Sequence, residues 1–158
     1  MNAAALDPTS RHILRLLADD GRASYQAIAD AVGLSRPAVM ERVKRLEESG
    51  YITGYGANLD RKKLGYPVTA FVSVRYGNPT YVVDEPRIRQ MAKNPGVIEC
   101  HHVAGEDCYI LKVVAPDLEG VQTILRTLTE GQKSINTRTT IVLGTVFEKP
   151  GLQPAELD

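Results

Sequence analysis

Several things are scarce or missing in this chain, and each absence narrows its possible roles. Only two cysteines occur in 158 residues, Cys100 and Cys108, which is too few for a disulfide framework. Net charge is missing: 19 basic residues face 19 acidic ones. Bulk charge therefore gives no sign of a nucleic-acid partner, and any such contact must rest on local charge. No run of apolar residues is long enough for a membrane-spanning helix, so no membrane association is expected. The opening MNAAALDPTSRH lacks a basic start followed by an apolar core, so no signal peptide is expected. These absences point to the cytoplasm. No Ser-His-Asp set, phosphate-binding glycine loop or pair of catalytic carboxylates stands out, and the expectation is a non-enzyme without a cofactor. What remains is ordinary globular material, 43% hydrophobic and 24% charged, enough for one domain or two small ones.

The first 60 residues read as helices. Asp7 can cap free N–H groups and Pro8 suits a first helical position. Ile13, Leu14, Leu16 and Leu17 then give one apolar face, and Gly21 ends the helix. Ser24 can cap a second helix with Ala27, Ile28, Ala31 and Val32 turned inward, and Gly33 stops it. Ser35 can cap a third helix that tolerates Pro37 in its first turn, runs to about Ser49 and closes at Gly50. A turn of about three residues containing glycine between the second and third helices is helix-turn-helix spacing.

From Tyr51 the pattern changes. YITGYGANLD reads as a strand or extended connector and RKKLGYP as a basic linker. The expected division is a helix-turn-helix domain over 1–60, a linker over 61–67, a second domain over 68–150 and a loosely held tail over 151–158. In the second domain, Val68 to Tyr76 is strand-like, with Val68, Ala70, Val72 and Val74 on one face. A helix is expected over 80–93, and strands over Val97–Ala104 and Cys108–Ala115 joined by a tight Gly-Glu-Asp connection. An amphipathic helix is expected over 117–130 through Leu118, Val121, Leu125 and Leu128, then a long strand from Ile135 to Phe147. The order β-α-β-β-α-β is the ferredoxin-like arrangement, so the fold class is α+β.

The third helix concentrates positive charge. Residues 34 to 46 hold four basic side chains, Arg36, Arg42, Lys44 and Arg45, against one acid, Glu41. A helical wheel puts Val39, Val43 and Leu46 inward and Ala38, Glu41 and Arg45 outward, with Arg42 and Lys44 flanking. A solvated helix with charges kept for solubility has this look. So does a recognition helix in the DNA major groove. Small Ser35 and Ala38 would allow close approach to base edges, arginine can bridge guanine, and Lys44 suits a phosphate. Ser24 and Tyr25, at the head of the second helix, complete the expected DNA-facing set.

In the second domain, Gly105, Glu106 and Asp107 sit at the expected hairpin. Amide groups and carboxylates there could hold a small zwitterion, and the same residues suit an ordinary turn. Cys100, His101, His102 and Cys108 have metal-ligand chemistry. Adjacent strand residues point to opposite faces, so four of them do not converge and no metal site is expected.

With these segments in view, the chain resembles the Lrp/AsnC (leucine-responsive, feast/famine) transcriptional regulators over nearly its whole length. The resemblance rests on LDPTSRHILRLLADDGRASYQAIADAVGLSRPAVMERVKRLEESGYITGYGANLD in the first half. In the second it rests on VIECHHVAGEDCYILKV and TRTTIVL. It implies that the second domain binds a small amino acid between subunits of neighbouring dimers, through Ala104, Gly105, Glu106, Asp107, Cys108 and Tyr109. Thr137, Thr139 and Thr140 would be wall residues. The family often has an acid three places after the glycine, where this chain has Cys108. The resemblance also implies a homodimer packed sheet to sheet, with a connector strand near Ile52 to Asn58 pairing with its partner, and assembly to a tetramer or octamer on promoter DNA. The alternative is an enzyme subunit of the same architecture, resembling sirohaem decarboxylases, that uses His101 and His102.

Overall fold

The computed structural model describes residues 6–77, 85–131, 135–149 and Pro154. The chain divides into two compact units, Met1–Asn58 with Phe147–Asp158, and Leu59–Val146.

The first unit is built on three helices. Helix α1 spans Pro8–Asp19, α2 Tyr25–Val32 and α3 Arg36–Glu48. Each begins on a side-chain cap: Asp7 accepts from the Ser10 amide at 3.1 Å, Ser24 from Ala27 at 3.1 Å and Ser35 from Ala38 at 3.4 Å. Each such bond satisfies an amide that the helix itself leaves unpaired. Helix α2 ends on Gly33 at φ 68°, and the Leu34 amide reaches back to the Ala29 carbonyl at 3.1 Å. This closure needs the left-handed conformation that glycine adopts cheaply. It turns the chain within three residues into the cap of α3. Ile13, Ile28, Ala29, Val39, Val43 and Leu46 form the buried core.

One expectation fails here. Ala27 and Ala31 are exposed, and Ala29 is buried in their place. At about 100° per residue, Ile28, Ala29 and Val32 share one face, and the two other alanines fall beyond its edge. Residues 52–58 form no strand within the chain. The basic stretch expected as a linker is a tight turn of the second unit. Tyr66 N–H donates to the Arg61 carbonyl at 2.8 Å, and the Asp60 carboxylate accepts from the Lys62 and Lys63 amides.

The second unit is a four-stranded sheet with two helices. Its elements are β1 Val68–Tyr76, α4 Glu85–Met91, β2 Val97–His102, β3 Tyr109–Ala115, α5 Leu118–Thr129 and β4 Ile135–Ile141. The strand order is β2-β3-β1-β4, antiparallel at every step. Alternation in β1 turns Ala70, Val72 and Val74 inward, where Tyr109, Leu111 and Val113 of β3 join Ile88, Met91, Val121, Ile124 and Leu128 from the helices. In register on the opposite face lie Phe71, Ser73, Ile110, Lys112, Thr140 and Arg138. Phe71 is 41% exposed there.

Several boundaries differ from the sequence expectation. The part of the expected helix over 80–84 lies outside the described residues, and α4 stops at Met91. Strand β2 stops at His102 and β3 starts at Tyr109, so the connection is six residues rather than three. Leu118 is exposed and Ile124 is buried. A side chain at the first helical position leans toward the helix start, away from the packed turns. Strand β4 ends at Ile141, not Phe147, because its partner runs out: Val142 N–H reaches Thr69, and β1 begins at Val68. Leu143, Val146 and Phe147 are exposed. Pro154 apart, the tail over 151–158 lies outside the described residues.

Candidate DNA interface and effector loop

Helix α3 sits on its stripe of Val39, Val43 and Leu46 and turns Glu41, Lys44 and Arg45 outward. Arg45 and Lys44 are both well exposed and flank the outer surface. Glu41 lies between them and accepts a 3.0 Å bond from Arg45 Nε, which holds the guanidinium beside it. Lys44 lies 3.7 Å from Glu48. Ser35 caps the N-terminal end and Ala38 lies in the first turn. Arg36 is exposed and has no ion-pair partner among the described residues. Nine residues at about 100° each put it on the opposite side of the helix from Arg45. Ser24 and Tyr25 are exposed at the start of α2, Tyr25 at 37%.

Arg42 behaves differently from its basic neighbours. It is half-buried and turned back to α1. Its Nη1 donates to Asp7 Oδ2 at 2.9 Å and to Ser10 Oγ at 3.1 Å, while Ser10 Oγ donates to the same Asp7 oxygen at 2.7 Å. These bonds hold the Asp7 carboxyl below its ordinary value of 3.8, the Ser10 hydroxyl first, then the Ser10 amide and Arg42, against the opposing effect of burial. A carboxyl with a lowered folded value stabilises the fold at pH above its unfolded value, and the gain fades as pH falls through the lowered one. The expected result is that wild type and Asp7→Asn differ in stability at neutral pH and converge below about pH 4, read from urea unfolding at each pH. A constant difference across that range would remove the charge from the contact.

Tyr55 lay outside the sequence reading. Its hydroxyl donates to Glu47 Oε1 at 2.9 Å, and burial and then that carboxylate push its phenol up to about 12. It ties the connector to the end of α3.

In the second unit, residues 103–108 link β2 and β3. The loop is held at both ends: Val103 N–H donates to the Cys108 carbonyl at 3.0 Å, and Cys108 N–H to the Val74 carbonyl at 2.8 Å. Gly105 has φ 139°, and a side chain there would meet no atom within 4 Å. The glycine is needed for its backbone angle, and the space beside it is open. Both expected carboxylates already have arginine partners. Arg75 donates through Nε to the Glu106 carbonyl and through Nη2 to the Glu106 carboxylate, both at 2.7 Å, and Arg138 Nη2 donates to Asp107 at 3.0 Å. No local sequence signal marks Arg75 or Arg138, each 31 positions from its partner.

The other expected effector residues do not all face this loop's open side. Ala104 is exposed, Cys108 is half-buried against the core, and Tyr109 is a core side chain stacked on His102 at 5.0 Å. Thr137 and Thr139 are half-buried in register with Val74 and Val72, on the helix side of the sheet, while Thr140 pairs with Phe71 on the other side. One wall cannot use all three from a single strand. On β2, Cys100 and His102 share a face and His101 points oppositely, 3.5 Å from Glu99.

Known proteins show the same two-part design. Residues 6–53 match the model for winged helix-turn-helix DNA-binding domains, and residues 69–152 the Lrp/AsnC ligand binding domain. The HTH-type transcriptional regulator LrpA of Mycobacterium tuberculosis is 35% identical over 90% of this chain and 93% of its own length. The Bkd operon transcriptional regulator of Pseudomonas aeruginosa is 41% identical over 77% of this chain and 80% of its own. A feast or famine regulatory protein from M. tuberculosis, solved in complex with L-methionine, superposes with a TM-score of 0.85 at 34% identity, covering 95% of this chain and all of that one. Among the described residues the first unit has no strand, so the winged model is matched here by helices alone.

Proposed function

Since the chain belongs to the Lrp/AsnC family of DNA-binding transcriptional regulators, we propose which of its surfaces do the regulating. Arg45 contacts base edges in the major groove and Lys44 a phosphate beside it, Ser35 and Ala38 give close approach at the helix start, and Ser24, Tyr25 and Arg36 hold the flanking backbone. Glu41 orients Arg45. The observation that carries this reading is the pair of exposed cations on the outer face of a helix whose inner face is fully buried.

The effector is a small amino acid, and its site includes the open side of the loop from Ala104 to Cys108. The complex of a structural neighbour with L-methionine supports an amino acid of this kind. Because Arg75 and Arg138 hold Glu106 and Asp107, the loop offers a fixed frame rather than free carboxylates. The uncovered sheet face carrying Phe71 and Ile110 supports a homodimer, and dimers build the tetramer or octamer. Such a dimer acts in the cytoplasm on half-sites about one helical turn apart, or a multiple of that. Ligand affects DNA only through a difference in its affinity for the assembled states.

Fluorescence anisotropy with duplex DNA, with and without pooled amino acids, tests this. Gly105→Val puts a branched residue at φ 139°, a local strain of about 1–3 kcal/mol. The variant is expected to bind DNA within about twofold of wild type, roughly 0.4 kcal/mol, and to lose the shift caused by the pool. A variant that still responds in full removes the loop from the site.

A further inference from the structure

We propose that Arg42 is a positioning residue for the DNA-binding helix, acting through Asp7 and Ser10, and not a DNA contact. This rests on the DNA-binding reading above. Arg42 belongs to the four-cation cluster of α3 and shares its charge, but its Nη1 is 2.9 Å from Asp7 Oδ2 and 3.1 Å from Ser10 Oγ. Those two residues are not arbitrary surface groups. Asp7 is the N-cap of α1, and its other oxygen already accepts the Ser10 amide at 3.1 Å. Ser10 is itself buried, although it is polar. The contact therefore ties the middle of α3 to the first turn of α1, across 35 and 32 positions of sequence.

The tie supplies what the apolar seat lacks. Val39, Val43 and Leu46 are smooth aliphatic surfaces that set how closely α3 packs, but such contacts are non-directional and oppose a roll of about 15–20° about the helix axis only weakly. A helix rotated by that much swings a long side chain on its outer face by roughly 3 Å, since the chain reaches well beyond the ~5–6 Å helix radius. A displacement of that size separates a made from a missed bidentate contact to a base. Arg42 lies about 60° around the helix from the buried stripe. A charged bond placed off the axis of the seat resists rotation most effectively. It fixes the direction in which Lys44 and Arg45 point.

Asp7→Asn separates the two roles by sign. Asparagine is an equally good helix cap, so α1 keeps its start while the carboxylate charge is lost. If Arg42 contacted DNA, removing its acidic partner would free it, and binding would tighten. If it positions α3, binding weakens. The probe is a labelled duplex enriched from a randomised pool by the wild-type protein. Affinity is measured at several salt concentrations where unfolding traces show every variant fully folded. The expected results are a roughly fivefold to thirtyfold loss for Asp7→Asn and for Arg42→Ala, a smaller loss for Arg42→Lys, and a slope of log affinity against log salt equal to that of wild type. Tighter binding by Asp7→Asn, or a slope reduced by about one in Arg42→Ala, would overturn the assignment in favour of a phosphate contact. Unchanged affinity in both variants would reduce the tie to a stability feature and overturn it as well. If the wild type enriches no duplex at all, the DNA-binding reading fails first, which is a different result.

Discussion

Replacing Lys44 and Arg45 together with alanine is expected to weaken specific DNA binding at least a hundredfold while leaving the fold and the assembly unchanged. A well-placed bidentate arginine contributes about 1–3 kcal/mol, and a phosphate-bound lysine adds about 1 kcal/mol at moderate salt. A loss of about 3 kcal/mol corresponds to roughly a hundredfold. In a symmetric dimer both half-sites carry the loss. The fold should not notice. The side chains are 67% and 73% exposed, and surface changes of this kind usually stay within about 0.5 kcal/mol. Alanine also favours the helix, which offsets the i,i+4 pairs lost with Glu48 and Glu41. Anisotropy reads the affinity, urea unfolding the stability, and sedimentation the assembly. Binding within threefold of wild type would take the groove-facing role away from α3. A dissolved oligomer would show instead that these residues belong to the assembly.

The sequence was most legible where a local rule decides the outcome. Asp7, Ser24 and Ser35 cap their helices because each is a short acceptor just before an apolar periodic run. The inward set Val39, Val43 and Leu46 follows from helical period alone, and β1 was legible to its ends because alternation and turn residues agree. Legibility failed where a partner far along the chain decides. Residues 142–147 have strand-forming composition, yet β4 stops where β1 no longer lies beside it. Arg42 looks like Lys44 and Arg45 in sequence, and only Asp7, 35 positions away, separates it from them. Glu106 and Asp107 look like free carboxylates until Arg75 and Arg138 are brought beside them by strand pairing. The three threonines of β4 illustrate the same limit within one strand. Their identity suggests a common wall, and the period of two divides them between the faces.

Gly96→Ala is expected to destabilise the second unit by about 3 kcal/mol, far more than its single added methyl suggests. Gly96 has no left-handed backbone angle, so its reason is space. A Cβ there would lie 2.6 Å from the Val114 carbonyl oxygen and 2.9 Å from Ile124 Cδ1. Neither neighbour can easily yield. Val114 is part of β3, paired to β1 on one side, and its own amide donates to the Gly96 carbonyl at 2.7 Å. Ile124 is a buried side chain of α5. The added atom therefore pushes apart the start of β2, strand β3 and the helix that covers them. Gly33→Ala provides the contrast. Gly33 sits at φ 68° with no atom within 4 Å of a Cβ, so alanine meets only the left-handed strain of about 1–2 kcal/mol. Urea unfolding should therefore rank Gly96→Ala as the more damaging of the two. Because the sheet that Gly96 helps to close is the proposed assembly surface, sedimentation of Gly96→Ala should also show loss of the oligomer near its unfolding range, while Gly33→Ala stays assembled. The reverse ranking would mean that β2 and α5 can separate without cost, and the close approach at Gly96 would not be what holds that edge of the sheet.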